Sequence, residues 1–299
     1  MTDTSESFRP DLDRRRHPLR TGLAAAYLRP MIGDVPGLRF SDPVPAHVAV
    51  ETLSIQSRPD PAAMQTSELL FGEDVDIYDR IDTGDGCWCW VQGRLDGYVG
   101  FVRADGLRDG YAPQTTHIVA ARLSHLFPTD SIKEPPVGRV TLGARLVIRE
   151  TRGKFAVLAD GRRIIASHLR PADRAEQDPV DVALRNLGAP YLWGGRSSLG
   201  LDCSGLLQVA AQALGHAAPR DSDMQARELG REVPRPDSEH GLNHGDLVYF
   251  PGHCMIADGD GNLVHANATH MAVTREPAGT VFARTRGGFG SVTHVRRLD

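Results

Sequence analysis

The chain is poor in cysteine, lacks any long apolar run and carries no excess of positive charge. Four cysteines in 299 residues do not indicate a disulfide-stapled domain, and a chain of this length can bury a sizeable core without such staples. No stretch approaches the roughly 20 consecutive apolar residues of a membrane span. A net charge of −4 argues against a nucleic-acid-binding protein, which normally carries a basic stripe. We therefore expect a globular protein whose partners are neither nucleic acid nor membrane.

The first thirty residues also lack the pattern of a secretory signal. Six arginines interrupt them, four of these at positions 14, 15, 16 and 20, and their only apolar stretch, residues 23–28, is shorter than the apolar core of a signal peptide. We therefore expect a cytoplasmic location. Nothing in the cysteine usage requires an oxidising compartment.

Two consecutive segments show the short, turn-punctuated strands of small β-barrels. In the first, residues 43–110, strand-like runs flank the turn Asp96-Gly97, and the run from Asp96 to Gly100 resembles bacterial SH3-like domains. The second, residues 111–172, repeats the layout, with Asp160-Gly161 at the corresponding turn. We predict two tandem SH3-like barrels. Before them, residues 1–42 are expected to form an arm that docks on the body, with a short helical patch at residues 23–28.

Residues 173–299 change to helices followed by strands. Asp178-Pro179 is expected to open a helix that Gly188 ends, and a second helix is predicted from about residue 203 to 214. Ser222 and Gln225 have the spacing of a capping box, which predicts a third helix. Short strands are expected at residues 246–250, 255–258, 263–266, 272–275 and 292–296. This order predicts an α+β domain.

Cys203 is the first candidate for chemistry, because it stands at the predicted start of a helix. The partial positive charge and free N–H groups at such a position favour a thiolate and can stabilise an oxyanion. The preceding loop, residues 193–201, is rich in glycine and would let a substrate backbone approach closely. The alternative is a buried structural cysteine.

His253 and His265 are the candidate bases. His253 precedes a predicted strand, His265 lies inside one, and a hairpin over the turn at residues 258–261 would make their imidazoles neighbours. One would act as base while the other orients it; alternatively, both are ordinary core histidines. Together with Cys254 and His270 they number four possible metal ligands, but the spacing matches no common zinc pattern. Cys87 and Cys89 also lack a second ligand pair, so we predict neither metal nor cofactor.

Three separated motifs carry a family resemblance. They are Tyr191-Leu192-Trp193-Gly194-Gly195 with Leu201-Asp202-Cys203-Ser204-Gly205, then residues 245–253 ending in Gly252-His253, then Val264-His265-Ala266. In this order they resemble the NlpC-type cysteine peptidases. The resemblance implies a papain-like α+β fold with Cys203 as nucleophile, His253 as base and His265 as the orienting residue. Cys254 departs from the family, in which a small or β-branched apolar residue is commoner here.

A narrower resemblance is to members that trim cell-wall peptides bearing a free amino terminus, with an SH3-like domain closing one end of the cleft. It implies substrate contacts by Tyr191, Asp202, Ser204, Ser222 and Tyr98, with Glu68 as a further acidic partner and Glu73 as its rival. The structural alternatives are a helix cap for Asp202, a capping-box residue for Ser222 and a barrel side chain for Tyr98.

The sequence thus leads to a hypothesis about function. We expect a γ-D-glutamyl–diamino-acid endopeptidase that acts on murein peptides of the form L-Ala-γ-D-Glu-diamino acid in peptidoglycan recycling. The diamino acid, meso-diaminopimelate or L-Lys, and the oligomeric state do not follow from the sequence. The alternatives are an amidase or acyltransferase on the same scaffold, or a non-catalytic module that binds wall peptides.

Overall fold

The computed structural model describes residues 12–235, 241–286 and 290–298. The first eleven residues of the predicted arm lie outside this range. The chain divides into two compact units, Met1–Pro113 and Gln114–Asp299. Mixed strands and helices are present, as an α+β protein requires. None of the described helices is long and apolar enough to cross a membrane.

The first unit is built around a seven-stranded antiparallel sheet with the order β10-β4-β7-β8-β9-β5-β6. Its interior is lined by alternating apolar side chains such as Val48, Ile55 and Val91. Gly100 in β9 is required by close packing, because a Cβ there would collide with Ile55. The strands are β4 (Val44–Val48), β5 (Thr52–Gln56), β6 (Gln65–Leu70), β7 (Asp74–Thr83), β8 (Gly86–Gly93), β9 (Val99–Arg103) and β10 (Leu107–Asp109).

The described part of the arm forms a small three-stranded sheet, β1 (Leu19–Arg20), β2 (Leu23–Ala25) and β3 (Arg39–Ser41), and helix α1 (Arg29–Ile32). Its apolar side chains cluster with Tyr78 and Trp90. The predicted helical patch was therefore wrong over its first half, which is a strand, while Ala26–Leu28 form a 3₁₀ turn. All three residues of β2 are buried, and a strand buried on both faces has no alternation to distinguish it from a helix.

The segment predicted as a second barrel consists of small antiparallel sheets with the strand groupings β14-β11-β18, β12-β13 and β15-β16-β17. Assignment of these strands to a second SH3-like barrel stays a prediction. The strands are β11 (His117–Val119), β12 (Leu123–Leu126), β13 (Gly138–Thr141), β14 (Arg145–Leu146), β15 (Ile148–Arg152), β16 (Phe155–Leu158), β17 (Arg163–Ile165) and β18 (Leu169–Pro171).

The rest of the second unit surrounds a six-stranded antiparallel sheet with the order β21-β26-β22-β23-β24-β25. Alternate strand residues build two cores: Val264 and Ala266 join the residues of α3, whereas Leu263 joins those of α5. The elements are α2 (Pro179–Leu184), β19 (Arg196–Ser197), β20 (Gly200–Leu201), α3 (Cys203–Ala213), α4 (Ser222–Glu228), β21 (Arg231–Val233), β22 (Asp246–Phe250), β23 (His253–Ala257), β24 (Asn262–Asn267), β25 (Ala272–Pro277), α5 (Ala278–Arg286) and β26 (His294–Arg297).

The predicted starts of α2 and α3 and the third helix predicted at Ser222 agree with the structure, but the capping box expected at the start of α4 was wrong. Asp221, not Ser222, is the N-cap of α4, and it makes no side-chain capping bond. Gln225 turns inward and donates its amide to the backbone oxygens of Ser204 and Pro219. The Gln225 side chain therefore serves these two buried backbone oxygens and does not make the local capping bond.

Candidate active site

Cys203 is the first residue of α3, and the preceding residue, Asp202, caps this helix. Asp202 has extended backbone geometry, and its side chain accepts a hydrogen bond from the N–H of Gly205 at 2.7 Å. The Cys203 side chain therefore sits where the helix dipole is positive and backbone N–H groups have no partner inside the helix. Cys203 is buried, at 8 % exposure.

The glycine-rich loop before Cys203 packs tightly on itself and on the start of α3. A Cβ on Gly205 would collide with the backbone oxygen of Gly195, and a Cβ on Gly195 would collide with that of Gly200. These glycines are therefore required by the contacts of the loop itself. That requirement explains the glycine-rich run without invoking a substrate backbone.

The structure brings His253 and His265 together. His253 begins β23, His265 lies in β24, and the two strands form an antiparallel hairpin. Nε2 of His253 lies 2.9 Å from Nδ1 of His265, and both side chains are buried. The second nitrogen of each ring remains for another partner, as a base and its orienting residue require.

The environment of Cys203 favours its thiolate. A hydrogen bond from the Cys254 thiol is the largest cause, and with the hydrogen bond and charge of His253 it lowers the pKa of Cys203 to about 5 in spite of burial. Burial and the neighbouring Cys203 raise the pKa of Cys254 well above its ordinary value. Cys203 is thus the reactive thiol of the pair, while the Cys254 thiol, whose neighbours include Oε1 of Gln225 at 4.0 Å, stays protonated.

His265 stays neutral. Its pKa is lowered to about 4, chiefly by burial, although a hydrogen bond to Glu276 acts in the opposite direction. Nε2 of His265 lies 2.8 Å from Oε1 of Glu276. Sequence reasoning missed Glu276, because only the strand register, with Leu263 opposite Glu276, places its carboxylate diagonally beside His265.

A buried ion pair between Arg220 and Asp202 fixes the backbone just before Cys203. The guanidinium of Arg220 contacts both carboxylate oxygens of Asp202, at 3.0 and 2.6 Å, and also donates to the Ser204 hydroxyl at 2.8 Å. The second oxygen of Asp202 accepts from the N–H of Gly194 as well. The helix-cap alternative for Asp202 is therefore present in the structure. Its predicted contact with a substrate ammonium stays a prediction, as does the predicted hydrogen bond of Ser204 to the D-glutamyl part of the substrate.

The remaining predicted substrate residues lie in different places. Tyr191 is half-buried near Cys203: burial first, and then the charge of Cys203, raises the pKa of its hydroxyl. Ser222 occupies the first turn of α4 and is partly exposed. Tyr98 and Glu68 belong to the other compact unit, where both are buried and Tyr98 joins the barrel core. The rival Glu73 accepts a hydrogen bond from the N–H of Leu70.

The alternative of a metal site was considered for His253, Cys254, His265 and His270. Two of these, His253 and His265, are hydrogen-bonded to one another, and His270 lies 3.1 Å from Oε2 of Glu276. Within the three described ranges, no group of three or more His, Cys, Asp or Glu side chains is arranged to hold a metal ion.

The contact between Cys203 and Cys254 predicts a measurable pH dependence. Iodoacetamide is expected to alkylate Cys203 with a rate that rises to its plateau with an inflection near pH 5, because the pKa of the thiol is lowered to about 5. Cys254→Val removes the first cause of this shift. The inflection should then move upward by about 1 pH unit or more, as loss of a hydrogen bond to a charged group implies.

Cys254→Ser is the matched control, since its hydroxyl can still donate to the thiolate. It should keep the low inflection. Rates are followed by mass spectrometry of the labelled Cys203 peptide. An inflection near the ordinary value of 9.0 in the unaltered protein would show that the site does not activate this thiol.

Comparison with known proteins finds family models that match two parts of this chain. The NlpC/P60 family model matches residues 188–287, and the model of the bacterial dipeptidyl-peptidase Sh3 domain matches residues 55–107. The dipeptidyl-peptidase 6 of Lysinibacillus sphaericus is 25 % identical over 235 residues, 72 % of this chain and 84 % of its own. The γ-D-glutamyl-L-lysine dipeptidyl-peptidase of Bacillus subtilis (strain 168) is 26 % identical over 227 residues, 69 % of this chain and 74 % of its own.

A solved structure agrees on the fold. The crystal structure of an NlpC/P60 family protein from Bacillus cereus superposes with a TM-score of 0.69 at 20 % identity, covering 85 % of this chain and 99 % of that chain. The resemblance inferred from the motifs is confirmed, and with it the papain-like catalytic fold. This chain contains an NlpC/P60 domain and a bacterial dipeptidyl-peptidase SH3 domain.

Proposed function

We propose that this chain is a cysteine endopeptidase that cuts the bond between the γ-D-glutamyl residue and the diamino acid of murein peptides with a free amino-terminal L-Ala. The observation that carries the proposal is the array of Cys203, His253 and His265 at the start of α3, with a thiol pKa lowered to about 5. Relatives named for dipeptidyl-peptidase and γ-D-glutamyl-L-lysine dipeptidyl-peptidase activity, which align with most of the chain, support the choice of bond.

The proposed reaction proceeds in two steps. The Cys203 thiolate attacks the γ-carbonyl carbon, and the free N–H of Cys203 at the helix start stabilises the oxyanion, with the Tyr191 hydroxyl as a second donor. His253 gives its proton to the leaving amine of the diamino acid, which departs and leaves a thioester. Water, deprotonated by His253, then attacks the thioester, releases L-Ala-γ-D-Glu and regenerates the thiolate.

The proposed requirement for a free amino end indicates where the substrate comes from. Peptides in the intact wall are capped by muramic acid at L-Ala, whereas turnover fragments inside the cell can be uncapped. We propose Asp202 as a group that recognises the L-Ala ammonium, and Ser204 and Ser222 as contacts to the D-glutamyl residue. The substrate contacts expected of Tyr98 and Glu68, which belong to the other compact unit, stay predictions from the family resemblance. The enzyme would then act on fragments in peptidoglycan recycling, in the cytoplasm.

Product analysis tests the proposal. L-Ala-γ-D-Glu-meso-diaminopimelate is expected to give L-Ala-γ-D-Glu and free diaminopimelate, identified by mass spectrometry. Acetylation of its amino end should lower kcat/KM by about 100-fold or more, because it removes the positive charge and all but one of the N–H donors that a site built for an ammonium binds.

Two further substrates complete this test. The lysine-containing tripeptide, free and acetylated, serves as the matched pair that separates diamino-acid preference from the requirement for a free amine. Equal turnover of free and acetylated tripeptides would contradict recognition of the amino end. Cleavage of any bond other than the γ-D-glutamyl bond would contradict the proposed specificity and favour another amide hydrolase.

A further inference from the structure

A cluster of charged and polar side chains lies behind His265. Oε1 of Glu276 is 2.8 Å from Nε2 of His265. Arg284 in α5 donates one N–H to each carboxylate oxygen of Glu276, both at 2.9 Å. His270, in the turn between β24 and β25, lies 3.1 Å from Oε2, and the hydroxyl of Thr274 donates to Oε1 at 3.1 Å. These contacts join the proposed catalytic histidines to α5, on the far side of the sheet from α3.

Glu276 is held as an acceptor-only carboxylate. The groups that face it are His265 from β24, His270 from the turn, Arg284 from α5 and Thr274 from its own strand. The two bonds from Arg284 are the largest cause that lowers the pKa of Glu276, and the side chain is only 12 % exposed. The carboxylate is therefore ionised at any working pH and can only accept hydrogen bonds.

An acceptor-only neighbour determines which nitrogen of the neutral His265 carries the proton. Nε2 also lies 3.3 Å from the amide nitrogen of Asn267, a donor, but that nitrogen has a closer partner in the Thr274 hydroxyl, at 2.7 Å. A lone pair on Nε2 would face the carboxylate at 2.8 Å, which is repulsive. Nε2 therefore carries the proton, and Nδ1 of His265 is an acceptor.

The protonation of His265 also determines which nitrogen of His253 donates. An acceptor at Nδ1 of His265 requires Nε2 of His253, 2.9 Å away, to donate. His253 can then hold a second proton on Nδ1 while it remains hydrogen-bonded to His265. That doubly protonated form is the one that pairs with the Cys203 thiolate and delivers a proton to the leaving amine.

We propose that Glu276 is a positioning residue of the active site, which sets the tautomer of His265 and, through it, the proton-donating orientation of His253. Arg284 in turn orients the Glu276 carboxylate. The proposal rests on the proposed function only in taking Cys203 and His253 as the reacting groups. The arrangement is a five-member chain of hydrogen-bonded or ion-paired groups from Arg284 to Cys203.

Glu276→Leu tests this chain because leucine offers no acceptor to Nε2 of His265. The amide nitrogen of Asn267, a donor 3.3 Å away, is then left facing Nε2. Nε2 accepts, Nδ1 takes the proton, and the donor path to His253 is reversed. We expect kcat/KM for the tripeptide to fall about 100-fold, within the range that loss of general acid–base catalysis costs. The inflection of Cys203 alkylation should move to higher pH.

Glu276→Gln separates tautomer control from mere packing. Its amide oxygen can take the place of Oε1, where Arg284, Thr274 and Nε2 of His265 all donate, so the original tautomer is kept. We expect Glu276→Gln to be more active than Glu276→Leu by about 10-fold or more, with an alkylation inflection near that of the unaltered protein. The double variant Glu276→Leu/Arg284→Leu removes the stranded guanidinium and should regain stability without regaining activity, whereas a purely structural role predicts that the two recover together.

Glu232→Gln, on the exposed side of β21 at the other end of the same sheet, is the matched control and should leave both readouts unchanged. Circular dichroism of each variant verifies folding. If Glu276→Leu keeps full activity and the same inflection, or if the double variant regains activity together with stability, the positioning role is wrong. If the unaltered protein itself shows no alkylation of Cys203 at pH 6, the proposed function fails instead.

Discussion

Cys203→Ala is expected to abolish hydrolysis of the L-Ala-γ-D-Glu-diaminopimelate tripeptide. Removing the nucleophile eliminates the thioester route, and kcat/KM should fall by about 10⁴-fold or more. The remaining rate is the one that substrate binding and oxyanion stabilisation alone support. Release of diaminopimelate is followed by mass spectrometry. His253→Ala should fall in the same range, and the pair should not be additive, because the two residues act as one unit.

Cys87→Ala is the matched control for this experiment. Cys87 is a partly buried free cysteine in β8, in the other compact unit, so its removal should leave turnover unchanged. Retention of activity in Cys203→Ala, or loss of it in Cys87→Ala, would overturn the assignment of the nucleophile. Cys203→Ser adds a second check, since a serine hydroxyl keeps the shape but is far less readily ionised.

Arg220→Met is expected to have the largest effect on stability. Arg220 is 1 % exposed and its partner Asp202 is 7 % exposed, so the substitution leaves a buried carboxylate without its counter-charge. Breaking a buried ion pair from one side costs about 3–5 kcal/mol in the free energy of unfolding. Because Asp202 also caps α3, activity should fall too, as the start of that helix shifts. Urea unfolding followed by circular dichroism measures the loss.

Two variants make this prediction specific. Arg227→Met breaks an ion pair with Asp223 whose side chains are about half exposed, at 55 % and 48 %, so it should change stability by only about 0.5 kcal/mol. Asp202→Asn in the Arg220→Met background removes the unpaired charge and should recover part of the lost stability. No recovery in this double variant would mean that the cost comes from packing and not from the stranded charge.

Local sequence rules were enough to predict the element on which the proposed chemistry depends. Asp202 before Cys203 has the residue type and spacing of an N-cap, and helix α3 does begin at Cys203. The same rules predicted α2 from Asp178 and Pro179. They failed at Ser222, where the capping-box bond was displaced by the inward contacts of Gln225, and at residues 23–25, where an apolar run buried on both faces is a strand.

The motifs determined which residue types are available for chemistry, namely one thiol at a helix start and two histidines separated by a turn. Only the tertiary structure decided their partners: Arg220 on Asp202, Cys254 on Cys203, and Glu276 with Arg284 behind His265. Those contacts depend on strand register and on how α4 and α5 pack. A pattern read within one segment carries no information on either, since both arise from packing between segments far apart in the chain.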